Sequence, residues 1–297
     1  MKSISFSTII FLFLAGCGLE QELIDVNPWI IQEGERPWII AHGGAKDLWP
    51  ENTMMAMRGS ADLGVDVLEM DIGMTADEIL VLQHDATIDR LSDGTGAVID
   101  FTFEELLEYN FGANFEALDG TYPYQDTLIP IPTLEEIFLE FPDYYMVVEI
   151  KNSGEDGLRA AELLHDLIVE YQMQDRVLMA SFHDEVVEHF LTLMENDPMV
   201  STPRQGATRF IVISKLRLSA FHRPKAIATQ LPLEEIGIRL NTKRVVNSAH
   251  RHNMAIHYWT INEKETMREL LELGADGLIT DRPDLMMEVL QEMGFSN

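Results

Sequence analysis

From Trp38 onward the chain alternates between short apolar runs and longer stretches with helical spacing. The runs "WIIAH", "VDVLEMD", "ILVLQH", "YMVVEIK", "RVLMAS", "KAIAT", "MAIHYWTIN" and "ADGLIT" are rich in β-branched, aliphatic and aromatic residues. Between them lie "NTMMAMRGSADLG", "EDGLRAAELLHDLIVEYQ", "DEVVEHFLTLMEN", "TKRVVNSAHRHN", "EKETMRELLELG" and "RPDLMMEVLQEM". Repeated strand-then-helix order predicts a parallel sheet with helices outside it. The number of units, near eight, favours an α/β fold of the closed (β/α)8 TIM-barrel type over an open sheet. The pattern defines the fifth unit least, around "PMVSTP" and the basic "RQGATRFIVISKLRLSAFHRPK".

Two regions break the rhythm. Residues 86–132 are too long for a simple barrel loop, carry turn signals and hold one short helix near Phe103–Tyr109. A long insertion beside candidate site residues points to function. At the N-terminus, Met1–Lys2 is followed by the apolar run "ISFSTIIFLFLAG". That run suits the core of a signal peptide better than a membrane span. It ends in Leu14–Ala15–Gly16–Cys17, which resembles the lipobox of bacterial lipoproteins. The expected organisation is a signal peptide over residues 1–16, a lipidated Cys17 with a tether to residue 37, and a barrel domain over 38–292. The expected location is the cell envelope, with the membrane as a partner through the lipid anchor. Cys17 is the only cysteine, so no intrachain disulfide forms.

Charge narrows the partners. The formal net charge of the 297-residue chain is -29, and a phosphate backbone repels such a surface, which argues against nucleic acid. A small anionic substrate stays open, because a bound cation reverses the sign locally.

Strand side chains alternate between faces. In "VDVLEMD", Val67, Glu69 and Asp71 share one face and Leu68 and Met70 the other. The same split groups Trp38, Ile40 and His42, then Val147, Glu149 and Lys151, then Leu80, Leu82 and His84. In each run the polar residue comes last or near last, at the strand end where barrel enzymes keep their chemistry. Three carboxylates, Glu69, Asp71 and Glu149, are hard oxygen ligands that suit one divalent cation, Mg²⁺ or Ca²⁺, better than Zn²⁺. His42 and His84 are then free to act as an acid–base pair. The bland alternative is a set of strand-end acids and histidines that cap helices or form solvated ion pairs.

The same residues carry a resemblance. "AHGGAKDLWPENT", "GVDVLEMDIGMTADEILVLQHD", "DRLSDGTG", "IPTLEE", "VVEIK", "HYWTIN" and "GADGLITDRPD" resemble, in order, the motifs of the glycerophosphodiester phosphodiesterase family over roughly residues 38–290. The resemblance implies a TIM barrel with a small insertion after the second strand. It also implies a metal site at Glu69, Asp71 and Glu149, and acid–base roles for His42 and His84. Lys151 is then a phosphate contact, Trp259 a residue of the pocket lip, and Glu51 and Asn52 a supporting shell, with Asn52 also a helix N-cap. Asp281 and Pro283 read as a helix start, architecture rather than chemistry. The family usually has an arginine after the first histidine. Here Gly43 stands there, leaving Lys151 or Lys46 to compensate.

The implied activity is metal-dependent hydrolysis of a small phosphodiester to glycerol 3-phosphate and an alcohol. Two rivals remain at this stage. One is phospholipase D-like action on lysophospholipid or sphingolipid headgroups, and the other is a non-catalytic lipoprotein that binds phosphodiesters.

Overall fold

The computed structural model describes residues 27–194, 199–216 and 225–295. The expected signal peptide and Cys17 lie outside the described residues. No helix among the described residues is long and apolar enough to cross a membrane.

Strands β1 (Trp38–Ala41), β2 (Val67–Met74), β4 (Tyr145–Ile150), β5 (Val177–Ala180), β6 (Ala228–Leu231), β9 (Ala255–Tyr258) and β10 (Gly277–Thr280) are joined in parallel, in the order β5-β4-β2-β1-β10-β9-β6. Parallel bridges Met179–Val200 and Ser201–Ala228 close the circle through the ill-defined fifth unit. Residues 200–201 therefore take the eighth position, as isolated bridges rather than a full strand. The helices α1 (Met54–Leu63), α3 (Leu134–Glu140), α4 (Gly154–Glu170), α5 (Asp184–Leu193), α6 (Arg204–Lys215), α7 (Lys243–Arg251), α8 (Lys264–Leu273) and α9 (Pro283–Glu292) follow these strand positions in turn.

The period-2 pattern sets the layers. Ile40, Val67, Val147, Leu178, Ala228 and Ile279 fill the barrel interior. Their neighbours Ile39, Leu68, Met70, Val148 and Met179 pack against the helices. One run departs from the expected alternation. "ILVLQH" is not a barrel strand, because β3 (Leu80–Leu82) folds back antiparallel onto the end of β2. Leu80 and Leu82 face the helix layer, whereas His84 lies past the strand end, where the chain has turned and the face parity no longer holds. Val81 instead joins Ile88, Val98, Leu106, Phe111 and Ile131 in a separate small core beneath the insertion. The insertion's helix α2 (Phe103–Leu106) starts with a Thr102–Glu105 capping box.

The described residues begin at Asn27, eleven positions before Trp38, and those before β1 also pack on the barrel. Trp29 is fully buried, with its ring 5.0 Å from that of Trp38 and 5.7 Å from that of Tyr145. The two partners are the first residues of β1 and β4, so Trp29 plugs the end of the barrel where the strands start.

His257 of β9 lies against this plug, 5.8 Å from the Trp29 ring, fully buried. Neither of its ring nitrogens has a hydrogen-bond partner among the described residues. Burial pushes its pKa down to about 4, against a small upward pull from Asp276. Above its ordinary 6.5 the ring is neutral whether folded or not and adds no pH dependence. Between 6.5 and about 4 the unfolded chain takes a proton that the folded ring refuses, so stability falls with pH. At about 1.4 kcal/mol per pH unit the loss levels off near 3 kcal/mol. Urea unfolding of His257→Leu at pH 7 and pH 4.5 should show a loss on acidification smaller than wild type by most of that amount. Equal losses in the two proteins would refute the assignment.

Candidate active site

The catalytic end lies opposite the Trp29 plug. Glu69 and Asp71 rise from β2, and Asp71 sits in register with Glu149 of β4. Glu69, Asp71 and Glu149 each offer an oxygen within 4.8 Å of the others. Lys151 Nζ lies 2.9 Å from Asp71 Oδ1 and 2.9 Å from Glu149 Oε1. Asn52 fixes Asp71 twice: its Nδ2 donates to Oδ2 at 3.0 Å and its Oδ1 accepts from the Asp71 N–H at 3.1 Å. The N–H of Gly43 donates to Glu69 Oε2 at 2.6 Å.

Charge in this cluster is unbalanced. Burial, then the charge of Asp71, push the Glu69 carboxyl up to about 8. Burial also raises Glu149. Burial pulls Asp71 the same way, but the Lys151 ammonium, His84 and the Asn52 amide together hold it below the ordinary carboxylate range. Three acids thus share one ammonium, and one acid is forced toward its neutral form. A hard divalent cation supplies the charge this donor set lacks, so the residues present fit such an ion.

His42 opens a short 3-10 turn, His42–Gly44, directly after β1. Its Nδ1 donates to Asp281 Oδ1 at 2.6 Å, which leaves Nε2 for a ligand. Burial pulls its pKa down, but Glu69 and Asp281 outweigh it and leave His42 above its ordinary value. Across the pocket, His84 Nδ1 is 2.9 Å from Asp85 Oδ1. Asp85 Oδ2 in turn accepts from Arg90 Nε at 2.6 Å, and the two Nη groups of Arg90 fork onto Glu51 at 2.6 and 3.0 Å. Arg90 belongs to the insertion, so that segment buttresses one histidine.

A cavity of about 500 Å³ brings His42, His84, Glu149, Lys151, Phe182 and Trp259 onto one wall system. The Phe182 ring stands edge-on to Trp259, 5.9 Å away. Arg204 and Gln230 also line it, and Gln230 Nε2 is buried without a hydrogen-bond partner among the described residues. Lys46 does not line the cavity and instead lies 3.8 Å from Asp281.

Two readings of the sequence need correction. Asn52 is not the cap of α1: Thr53 is, accepting from the Ala56 N–H, while Asn52 adopts a left-handed φ of 57° and spends its side chain on Asp71. Asp281 is not only architecture. Pro283 does begin α9, but the Asp281 carboxylate orients His42 and is itself held by Asn262 at 2.7 Å. The sequence reading missed Arg90, Asp85 and Arg204 as site residues. The available signal was that Asp85 and Arg90 fall inside two of the quoted motifs and Arg204 in the basic stretch.

A (β/α)8 barrel with a carboxylate cluster, two carboxylate-oriented histidines and a lysine at the mouth defines a hydrolase suited to an anionic ester. The sequence pattern of the glycerophosphoryl diester phosphodiesterase family matches residues 42–285, and the chain belongs to that family of phosphodiester hydrolases. A Bacillus altitudinis glycerophosphodiester phosphodiesterase is 29% identical over 263 residues, covering 86% of this chain and 98% of that one. The glycerophosphoryl diester phosphodiesterase domain of a Mycobacterium tuberculosis protein superposes with a TM-score of 0.76 at 19% identity, covering 87% of this chain and 100% of its own. An Oleispira antarctica phosphodiesterase, solved with its product sn-glycerol-3-phosphate, superposes with a TM-score of 0.69 at 19% identity, covering 86% and 97%.

Asp281 carries a prediction. Asp281→Asn removes the anionic acceptor for His42 Nδ1–H, so turnover should fall by about 10²-fold or more with the melting temperature nearly unchanged. Steady-state kinetics together with thermal unfolding checks it, and full turnover in the variant would return Asp281 to a purely structural role.

Proposed function

We propose that the protein hydrolyses glycerophosphodiesters to glycerol 3-phosphate and an alcohol such as choline or ethanolamine, acting from a lipid anchor in the bacterial cell envelope. The observation that carries the reading is the meeting of His42, His84, Lys151, Glu69 and Glu149 in one cavity, with Asp71 grouped with the two glutamates. The named relatives and the product-bound Oleispira structure support the substrate class. The apolar run ending in Cys17 supports the anchor.

Glu69, Asp71 and Glu149 would hold one divalent cation, Mg²⁺ or Ca²⁺, which when bound neutralises the phosphate and draws electron density from phosphorus. Lys151 offers a point charge to a phosphate oxygen from beside Glu149. Each histidine has its Nδ1 engaged by a carboxylate, so Nε2 is the working atom in both. One Nε2 takes the proton of the nucleophile, a water or the neighbouring glycerol hydroxyl. The other Nε2 gives a proton to the leaving alcohol. The half-exposed Phe182 beside Trp259 gives the lip an apolar side, which is the one feature that favours the phospholipase D-like reading.

The soluble form, residues 18–297, should hydrolyse glycerophosphocholine, lose activity in EDTA and regain it with Mg²⁺ or Ca²⁺. Glu149→Gln should weaken metal affinity and turnover together. Activity that persists in EDTA would remove the metal from the mechanism, and a preference for lysolipids would favour the rival.

His42→Ala and His84→Ala should each lose about 10²–10⁴-fold in turnover while still binding the cation. A nitrophenyl phosphodiester, whose leaving group needs no proton, should rescue the variant that lacks the acid. Rescue of neither would dissolve the division of labour.

Cys17→Ser should abolish lipid labelling and leave unprocessed precursor. Unchanged labelling would overturn the anchor.

A further inference from the structure

We infer that the anchored protein holds its pocket away from the bilayer that carries its anchor, and so draws water-soluble diesters from the aqueous phase rather than lipids from the same leaflet. This inference rests on the lipidated Cys17 proposed above.

The strands give the barrel a direction. β1, β2 and β4 run toward His42, Asp71 and Glu149, so the strand ends form the mouth and the strand starts form the closed end. The described chain enters at the closed end. Asn27 is buried and donates through Nδ2 to the carbonyls of Ile227 at 2.7 Å and Asn253 at 2.8 Å, just before β6 and β9. The Ile31 N–H donates to Asp276 Oδ1 at 3.2 Å, just before β10. Trp29 fills the space between these attachments against Trp38 and Tyr145. The anchored segment is therefore pinned to the face opposite the pocket by hydrogen bonds and a buried indole.

Chain length bears on the orientation. Ten peptide steps separate Cys17 from Asn27. Fully extended they reach about 35 Å. To bring the mouth onto the anchoring bilayer, those steps would have to cross the helix layer, about 10 Å thick, and climb its height. The height is about 15 Å along α8 or α9, which follow the strands beside the point of entry and have 10 residues each. That path takes about 25 Å of the contour. An orientation with the closed end toward the bilayer asks for no such extension, and it leaves the mouth toward water.

The experiment uses the lipidated full chain in phospholipid vesicles that carry an energy-acceptor lipid. Because Cys17 is consumed by the lipid, an introduced cysteine is the sole thiol. Glu33→Cys labels the closed end, and Ile236→Cys labels the mouth hairpin of β7 (Glu234–Glu235) and β8 (Ile238–Arg239), where Ile236 is 93% exposed. Energy transfer to the bilayer should be several-fold stronger from the Glu33 position. The same vesicles should support full hydrolysis of dissolved glycerophosphocholine and little of lysophosphatidylcholine in the anchoring leaflet. Transfer from Ile236 equal to or above that from Glu33, in protein that sediments with the vesicles, would overturn the orientation alone. Failure to sediment would remove the anchor and this inference with it.

Discussion

Three carboxylates within 4.8 Å of one another, most of them out of water, share one ammonium, and much of the site is arranged to hold that charge in place. Isolated, such a cluster would take up protons or come apart, because burying unpaired charge costs several kcal/mol per ion. The fold answers with fixed donors. Asn52 grips Asp71 from the loop before α1, the Gly43 amide grips Glu69, and Lys151 bridges Asp71 and Glu149. The excess of negative charge shows in the raised Glu69, and it is the charge a cation would offset.

The same constraint orders the periphery. Both histidines are oriented by acids that are themselves tied down, Asp281 by Asn262 and Asp85 by Arg90. Arg90 also forks onto Glu51 in the loop before α1, so the insertion and that loop are clamped across the pocket edge. The insertion can do this because it has a core of its own around Val81, Ile88 and Phe111. A floppy excursion of that length would pay ordering entropy for every such contact.

How much of this was legible follows from range. Period-2 alternation is a local property, so β1, β2 and β4 could be oriented from sequence and their inward residues Ile40, Val67 and Val147 assigned correctly. The fold-back of β3 could not, because an antiparallel return and a parallel crossover begin with the same apolar run, and only the pairing with β2 separates them. Residues Val200–Ser201 were weak in sequence because they are weak in structure, two bridges rather than a ladder. Asp281 was misread for a different reason. A carboxylate before a proline at a helix start already has a local explanation, and its partner His42 lies 239 positions away. Trp29 was lost among tether residues because the three-residue run Trp29–Ile31, between Pro28 and Gln32, is too short to show a period.

Gly43 shows how one departure from a family pattern is absorbed. Its φ of +53° is a left-handed conformation that costs any residue with a Cβ roughly 1 kcal/mol or more. Both its backbone groups are in use, the N–H on Glu69 and the carbonyl on the Asn52 N–H. A Cβ there would stand 3.3 Å from that of Glu51, tighter than an ordinary contact, so a side chain would crowd Glu51. In this chain the Glu51 carboxylate already accepts two hydrogen bonds from Arg90. An arginine added at position 43 would have to adopt the strained φ and crowd a residue that Arg90 already holds. The backbone work of residue 43 is thus kept, the ion pair to Glu51 is supplied from the insertion, and the cations facing the cavity are Lys151 and Arg204. A lysine cannot grip a phosphate with a planar fork, and Arg204 lies beside Glu235, so a cation held by the carboxylate set would have to offset more of a phosphate's charge here than in a site with a forked arginine.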